Sequence, residues 1–137
     1  MMKALVVESS STMRSVLRRI LSMRGFEVAE TDSGQEALNL LGAMGTVDLI
    51  LVDWTLPEMN NLDFITRMRR ETAHASMVIM LAASEPGMRD LHRALIAGAD
   101  DYLMKPFTSM QIDAKLALAG LAWQWTGNCE RKDLPCR

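Results

Sequence analysis

The segment Asp48-Leu49-Ile50-Leu51-Val52-Asp53 decides the fold, because it is an unbroken apolar run closed at both ends by a carboxylate. A strand with one solvated face alternates apolar and polar residues, whereas a strand covered on both faces reads as a continuous apolar run. The segment therefore predicts a central strand of a parallel sheet, with helices packed on both sides.

Further short apolar runs alternate along the chain with stretches of helical spacing. The predicted strands are Ala4–Val7, Glu27–Ala29, Leu49–Val52, Val78–Leu81 and Tyr102–Met104. Gly25 follows the first helical stretch as a stop signal. Ser33 with Glu36 predicts a capping box at the second helix, and Thr108 with Gln111 predicts another at the fifth. A β–α unit of roughly 25 residues makes every crossover a helix and the strands parallel. The predicted fold class is α/β, a doubly wound five-stranded parallel sheet with five helices.

Size and charge limit the function. The chain has 137 residues, and 49% of them are hydrophobic, which suits one domain with one core. We predict a domain over residues 1–125 and an irregular tail over 126–137. A net charge of -2 gives no electrostatic case for nucleic acid, and the apolar stretches are too short to span a membrane. The N-terminus lacks the arrangement of a signal peptide, so we expect a cytoplasmic protein.

Charged residues follow the first, third and fifth predicted strands. Ligands of doubly wound sheets bind outside the carboxyl ends of the strands, and there the chain has Glu8, Asp53 and Lys105. Two neighbouring carboxylates need a cation or a proton between them, and Mg²⁺ is bound in this way together with phosphate oxygens. A lysine suits a phosphoryl oxygen as a point charge. The combination predicts phosphoryl transfer to an aspartate.

Each of these residues also has an ordinary structural interpretation. An aspartate at a strand end commonly caps a helix or forms a turn, and Lys105 before Pro106 could be a solvated loop residue. Their placement at one edge of the sheet is what favours a functional site. The Lys105–Pro106 bond is conformationally restricted and can be cis, which would aim the lysine inward.

Three segments carry a family resemblance. They are LVVESSSTMR (5–14), LILVDWTLPEMNNLDF (49–64) and AGADDYLMKPFT (97–108). In order and spacing the sequence resembles the receiver domains of two-component response regulators, most closely the stand-alone chemotaxis (CheY-like) type, from about Lys3 to Leu121. That type is itself an example of the strand order 2-1-3-4-5, so this order is implied by the resemblance.

The resemblance implies a phosphorylation site. Asp53 would accept a phosphoryl group from a histidine kinase, a phosphotransfer protein or a small phosphodonor, with Mg²⁺ bound. The metal ligands would be Glu8, Asp53 and the backbone carbonyl of Thr55. The phosphoryl group would be bound by Lys105 and the backbone N–H of Ala83. Catalysis would be limited to the domain's own phosphotransfer and dephosphorylation, with Asp53 and Lys105 as the catalytic residues.

The resemblance also implies an output surface. Tyr102 would be an aromatic rotamer switch on a face formed by helix 4, strand 5 and helix 5, which would bind a downstream protein. Mixed charge on this face could support a homodimer or simply keep the face soluble.

The sequence departs from the family pattern at three places. Ser9 stands where a second acidic residue is usual, so we expect a weakened Mg²⁺ site in which Ser9 is a weak ligand or acts through water. Ala82 stands at the switch position and lacks a hydroxyl. A hydrogen bond to a charged group contributes about 1.5–3 kcal/mol, so coupling could fall about 10–100-fold, unless Ser84 or Ser9 substitutes. Asn60 and Asn61 replace the usual Asp-Gly, a mild change.

Two further functions compete with the phosphoacceptor hypothesis. Ser9 and Ala82 motivate a phosphorylation-independent pseudo-receiver that acts as an interaction scaffold. A hydrolytic enzyme is disfavoured, because no general base is predicted beside Asp53.

Overall fold

The computed structural model describes residues 2–54, 56, 61–70, 76–84 and 91–121, in which five strands alternate with five helices. The strands are parallel and lie in the order β2-β1-β3-β4-β5, which confirms the predicted fold class and strand order. The elements are β1 Met2–Val7, α1 Ser11–Met23, β2 Phe26–Thr31, α2 Gly34–Met44, β3 Leu49–Asp53, α3 Asn61–Arg70, β4 Val78–Ala83, α4 Leu91–Ala97, β5 Asp101–Met104 and α5 Ser109–Leu118.

The strands are longer than the apolar runs that predict them. β1 begins at Met2, which pairs with Phe26, and β2 continues to Thr31, which pairs with Val7. Ladder hydrogen bonds use backbone groups and do not require apolar side chains. Each apolar run therefore lies within its strand but stops short of at least one strand end.

The predicted helix boundaries are largely confirmed. Gly25 follows α1 with a φ of 89°, a conformation that glycine adopts without steric cost. Thr108 and Gln111 form a complete capping box at α5. At α2 only half of the predicted box forms: Ser33 Oγ accepts from Glu36 N at 3.2 Å, but Ser33 N donates to Thr31 Oγ1 instead.

The sheet is buried on both faces, as the central run predicts. All of β3 is buried. Side chains of α1 and α5 pack on one face, and side chains of α2, α3 and α4 pack on the other. The first face contains Ala4, Val6, Leu17, Leu21, Leu51, Met80, Ala82, Leu103, Ile112 and Leu116. The second contains Leu5, Val7, Leu41, Val52, Phe64, Ile65, Met68, Leu81, Ala83 and Ala94.

Arg24, at the end of α1, is joined to α5 through Asp113. Arg24 Nη2 donates to Asp113 Oδ2 at 2.9 Å, and Nε contacts the other carboxylate oxygen. This hydrogen bonding raises the pKa of the Arg24 guanidinium above its ordinary value. This ion pair links α1 to α5, the two helices that pack on the first face of the sheet.

Arg69 of α3 holds the turn between α4 and β5. Its Nε donates to the Gly98 carbonyl at 2.9 Å, and its Nη2 contacts Asp100 Oδ2, which also accepts from Ile79 N at 2.8 Å. A Cβ on Gly98 would lie 2.6 Å from Arg69 Cγ, and the φ of Gly98 is 133°. The glycine is required by this close approach.

Several predictions fall on residues that the structure does not describe. The domain boundary at 125, the tail 126–137, Thr55 and Asn60 lie outside the described ranges. Among the helices that are described, none is long and apolar enough to cross a lipid bilayer.

Candidate functional site

Glu8, Asp53 and Lys105 meet at the carboxyl edge of the sheet, as predicted. Glu8 directly follows β1, Asp53 is the last residue of β3, and Lys105 directly follows β5. The two carboxylic acid residues are each 1% exposed, and the lysine side chain is 23% exposed. The two acids are therefore buried, and Lys105 is the partly exposed member of the site.

Lys105 reaches across the sheet to the two acids. Its Nζ donates to Glu8 Oε1 at 2.9 Å and lies 3.6 Å from Asp53 Oδ1. β4 lies between β3 and β5, and its residue in register with Asp53 is Ala82. A methyl group is small, so the long lysine side chain can pass over it. The Lys105–Pro106 bond is cis, which the sequence allowed.

The other carboxylate oxygens accept hydrogen bonds from the loop after β1. Asp53 Oδ2 accepts from Ser9 Oγ at 2.8 Å, and Ser9 N lies 3.5 Å from the same oxygen. Glu8 Oε2 accepts from Ser10 N at 3.0 Å. The loop thus supplies one acid and donors to both acids.

The oxygen atoms of this site fit a divalent cation. Mg²⁺ prefers carboxylate and other hard oxygen ligands, and Glu8, Asp53 and the Ser9 hydroxyl provide them side by side. Within the described ranges no group of three or more His, Cys, Asp or Glu side chains converges to hold a metal. Because Ser9 is neutral, the cluster has only the carboxylates of Glu8 and Asp53. The Lys105 ammonium already lies beside both of them.

The end of β4 carries two alanines. Ala82, the predicted switch position, is fully buried on the same face as Asp53, and Ala83 packs on the opposite face with Tyr102. Neither side chain has a hydroxyl, and Ser84 is exposed. The predicted role of the Ala83 N–H stays a prediction.

Tyr102 lies under an ion pair. Lys115 Nζ is 4.5 Å from the centre of the Tyr102 ring and donates to Asp101 Oδ1 at 2.8 Å. A cavity of about 300 Å³ lies between β5 and α5 at this place. Large apolar side chains are exposed on α4, β5 and α5: Leu95, Ile96, Met104, Met110 and Leu118.

Sequence reasoning missed one residue that shapes the site. Arg14 Nη1 donates to the backbone carbonyl of Glu8 at 2.8 Å and lies 3.5 Å from that of Ser9. Side-chain contacts to backbone carbonyls have no signature in sequence. What the sequence does show is that Arg14 lies four residues after Ser10, in the first turn of the helix that follows the loop, where Arg14 N donates to the Ser10 carbonyl.

The comparison with protein families is decisive. The model described as "Response regulator receiver domain" matches residues 4–117. The chain belongs to this family. The receiver domain is thus a signalling module of two-component systems and not a conventional enzyme.

Relatives and solved structures place the receiver domain among CheY-like proteins. It is 38% identical over 116 residues to chemotaxis protein CheY1 of Helicobacter pylori, covering 84% of this chain and 94% of that protein. It is also 38% identical to a CheY homolog of Campylobacter jejuni, covering 84% and 89%. The structure of CheY4 of Vibrio cholerae superposes with a TM-score of 0.79 at 25% identity, over 87% of this chain and 98% of that one.

A further structural neighbour is described with a metal. The receiver domain of sensor histidine kinase PA1611 from Pseudomonas aeruginosa has a magnesium ion coordinated in its active-site cleft. It has a TM-score of 0.76 at 23% identity and covers 87% of this chain and 98% of that one. At this identity the likeness concerns the fold alone.

Proposed function

We propose that the receiver domain accepts a phosphoryl group on Asp53 and passes the signal on by protein contact. One observation carries this proposal: the buried Asp53 carboxylate lies beside Glu8, with the Lys105 ammonium 3.6 Å from Oδ1. A cation stabilises neighbouring carboxylates, and the oxygens of a phosphoryl group need positive charge in the same way.

The geometry favours Oδ1 of Asp53 as the nucleophile. Lys105 Nζ lies 3.6 Å from Oδ1, so the lysine could meet the oxygens of a phosphoryl group attached there, while Oδ2 accepts from Ser9 Oγ at 2.8 Å. In the transfer, Oδ1 forms a bond to phosphorus, and the bond from phosphorus to the imidazole nitrogen of a phosphohistidine breaks. The imidazole leaves with its electron pair, and Lys105 compensates charge on the phosphoryl oxygens.

The same site would hold Mg²⁺ through Glu8, Asp53 and, more weakly or through water, Ser9, with the Thr55 carbonyl as a further proposed ligand. A bound Mg²⁺ would supply additional positive charge at the phosphoryl oxygens. We propose a weakened metal site, because two carboxylates here share their negative charge with one ammonium. The Ala83 N–H is proposed as a donor to the phosphoryl group.

The proposed partners follow from the two surfaces. A histidine kinase or phosphotransfer protein would approach the carboxyl edge, and a downstream protein would bind the face of α4, β5 and α5 around Tyr102. The exposed apolar side chains on that face support protein contact. A homodimer through this face, slow self-catalysed dephosphorylation and a cytoplasmic location belong to the same proposal. The scaffold alternative gains no specific support, because nucleophile, acid and lysine lie together.

Phosphorylation can be tested by incubating the protein with acetyl phosphate and Mg²⁺ and measuring the intact mass. We expect one added phosphoryl group in the wild type and none in Asp53→Asn. Asp32→Asn is the matched control, because Asp32 is an exposed carboxylate just after β2 at the same edge. Equal labelling of Asp53→Asn and the wild type would contradict the proposal.

Metal binding can be tested separately with Mg²⁺ and beryllofluoride. Trp54 is 8% exposed and directly follows Asp53, so its fluorescence should respond to both additions. Trp54→Phe identifies the signal from the remaining tryptophans. A normally folded protein that responds to neither addition would reject the phosphoacceptor function.

A further inference from the structure

The loop of residues 8–10 supplies three of the described polar groups of the site. It contributes the Glu8 carboxylate, the Ser9 hydroxyl on Asp53 and the Ser10 amide on Glu8. Only Glu8 is buried, and Ser9 and Ser10 are exposed. Burial alone therefore does not fix the positions of these groups.

The loop is held at both sides by backbone contacts. Glu8 N donates to the Thr31 carbonyl of β2 at 3.0 Å, and Ser10 Oγ accepts from Met13 N at 3.2 Å as the N-cap of α1. Between these two anchors, the carbonyls of Glu8 and Ser9 point to Arg14 Nη1 at 2.8 and 3.5 Å. The Arg14 guanidinium therefore contacts the backbone carbonyls of both residues whose side chains enter the site.

Arg14 is itself fixed from outside the site. Its Nε lies 3.6 Å from Glu30 Oε1 on β2, and its side chain is 19% exposed. Glu30 also forms an ion pair with Arg18, whose Nε lies 2.7 Å from Glu30 Oε2. The two groups are not aligned as a hydrogen bond. Arg18 is 55% exposed, one helical turn further along α1. The two arginines share one carboxylate, but of their described contacts only those of Arg14 reach the loop.

We propose that Arg14 is a positioning residue for the site, which fixes the loop of residues 8–10 so that Glu8 and Ser9 meet Asp53 and Lys105. The proposal deepens the phosphoacceptor function and rests on it for its functional consequence. The physical reason is that displacements of about 1 Å change reactivity strongly when groups are aligned for reaction. Residues behind metal ligands typically change affinity by about 10–100-fold when they are replaced.

Arg14→Gln removes the guanidinium, and Arg18→Gln is the matched control with the same charge change on the same helix and the same partner Glu30. Arg14→Lys keeps a cation that can donate to one loop carbonyl. We expect Arg14→Gln to weaken Mg²⁺ binding about tenfold by calorimetry, Arg14→Lys to recover part of this loss, and Arg18→Gln to stay within about twofold of the wild type.

A readout that does not depend on metal or phosphate is amide hydrogen exchange at Ser9 and Ser10 in the metal-free protein. We expect faster exchange at both amides in Arg14→Gln but not in Arg18→Gln, with equal urea midpoints for the two variants. Equal exchange in both variants would overturn the proposal, whatever the metal does. Faster exchange in Arg14→Gln together with a wild type that ignores Mg²⁺ and beryllofluoride would support the positioning role and reject the phosphoacceptor function. A change in exchange that merely follows a lower urea midpoint would make Arg14 an ordinary structural residue and overturn the proposal.

Discussion

Replacing Ser9 by aspartate puts a third carboxylate against two that are already buried. Ser9 Oγ lies 2.8 Å from Asp53 Oδ2, so the new carboxylate would lie within about 4 Å of it. Two unit charges at that separation repel by about 4 kcal/mol at an effective dielectric constant of about 20. The hydrogen bond to Asp53, worth about 1.5–3 kcal/mol, is also lost. Ser9 is exposed, and water reduces the repulsion, so we expect metal-free Ser9→Asp to lose about 2–4 kcal/mol of unfolding free energy.

Mg²⁺ should reverse this loss. A ligand present at 100 times its dissociation constant stabilises the folded state by about 2.7 kcal/mol. We therefore expect Mg²⁺ to raise the urea midpoint of Ser9→Asp much more than that of the wild type. Urea unfolding with and without Mg²⁺ measures both effects.

The matched control is Ser10→Asp, one residue further along the same loop. Ser10 is the exposed N-cap of α1, and aspartate is an equally good N-cap. The control should therefore keep the wild-type midpoint and the wild-type response to Mg²⁺. Identical midpoints for Ser9→Asp and Ser10→Asp in the absence of metal would refute the electrostatic reasoning.

Three further predictions test other parts of the structure. Gly98→Ala should lose about 1–3 kcal/mol of unfolding free energy, because the new Cβ would meet Arg69 and the backbone has a positive φ. Gly42→Ala is the control and should stabilise the protein, because nothing lies within 4 Å of its Cβ position in α2. Thermal unfolding that ranks the two variants in the opposite order would contradict this prediction. Arg24→Ala should lose about 0.5–1 kcal/mol. Because the pKa of Arg24 is raised, its contribution to stability is fully present below the ordinary arginine pKa and is lost only as the pH rises through the raised value. The urea-midpoint difference from the wild type should therefore be equal at about pH 6 and about pH 9. Ala82→Thr should increase the change around Tyr102 that beryllofluoride induces, measured by NMR. It should also destabilise the fold by about 1–3 kcal/mol, because Ala82 is fully buried and the larger side chain must be accommodated. A folded variant with no change at Tyr102 would argue that a hydroxyl at this position does not couple the site to Tyr102.

The fold could be predicted because its signals are local and repeated. A run such as Leu49–Val52 identifies a strand buried on both faces, and alternation with helices makes the strands parallel. The strand ends were missed because ladder hydrogen bonds extend past the apolar runs used for the prediction, as at Met2 and Thr31. The half-formed cap at Ser33 was missed because the Thr31 hydroxyl competes for the same amide.

The site could be predicted as a set of residues but not as a set of contacts. Strand-end positions bring Glu8, Asp53 and Lys105 together by topology alone. That Lys105 approaches Glu8 more closely than Asp53 depends on side-chain length and on the methyl group of Ala82 between the strands. The role of Arg14 could not be predicted, because it depends on contacts with backbone carbonyls. Every residue has such a carbonyl, so the sequence does not show which of them a side chain contacts.

The carboxylates beside Tyr102 have a consequence for molecular recognition. Asp101 is paired with Lys115, and Asp100 with Arg69, so each already has an intramolecular cation. A basic partner would have to compete with these residues, while the exposed Ile96 and Met110 favour an apolar ligand. Association at this face should therefore depend only weakly on ionic strength and proceed without strong electrostatic steering.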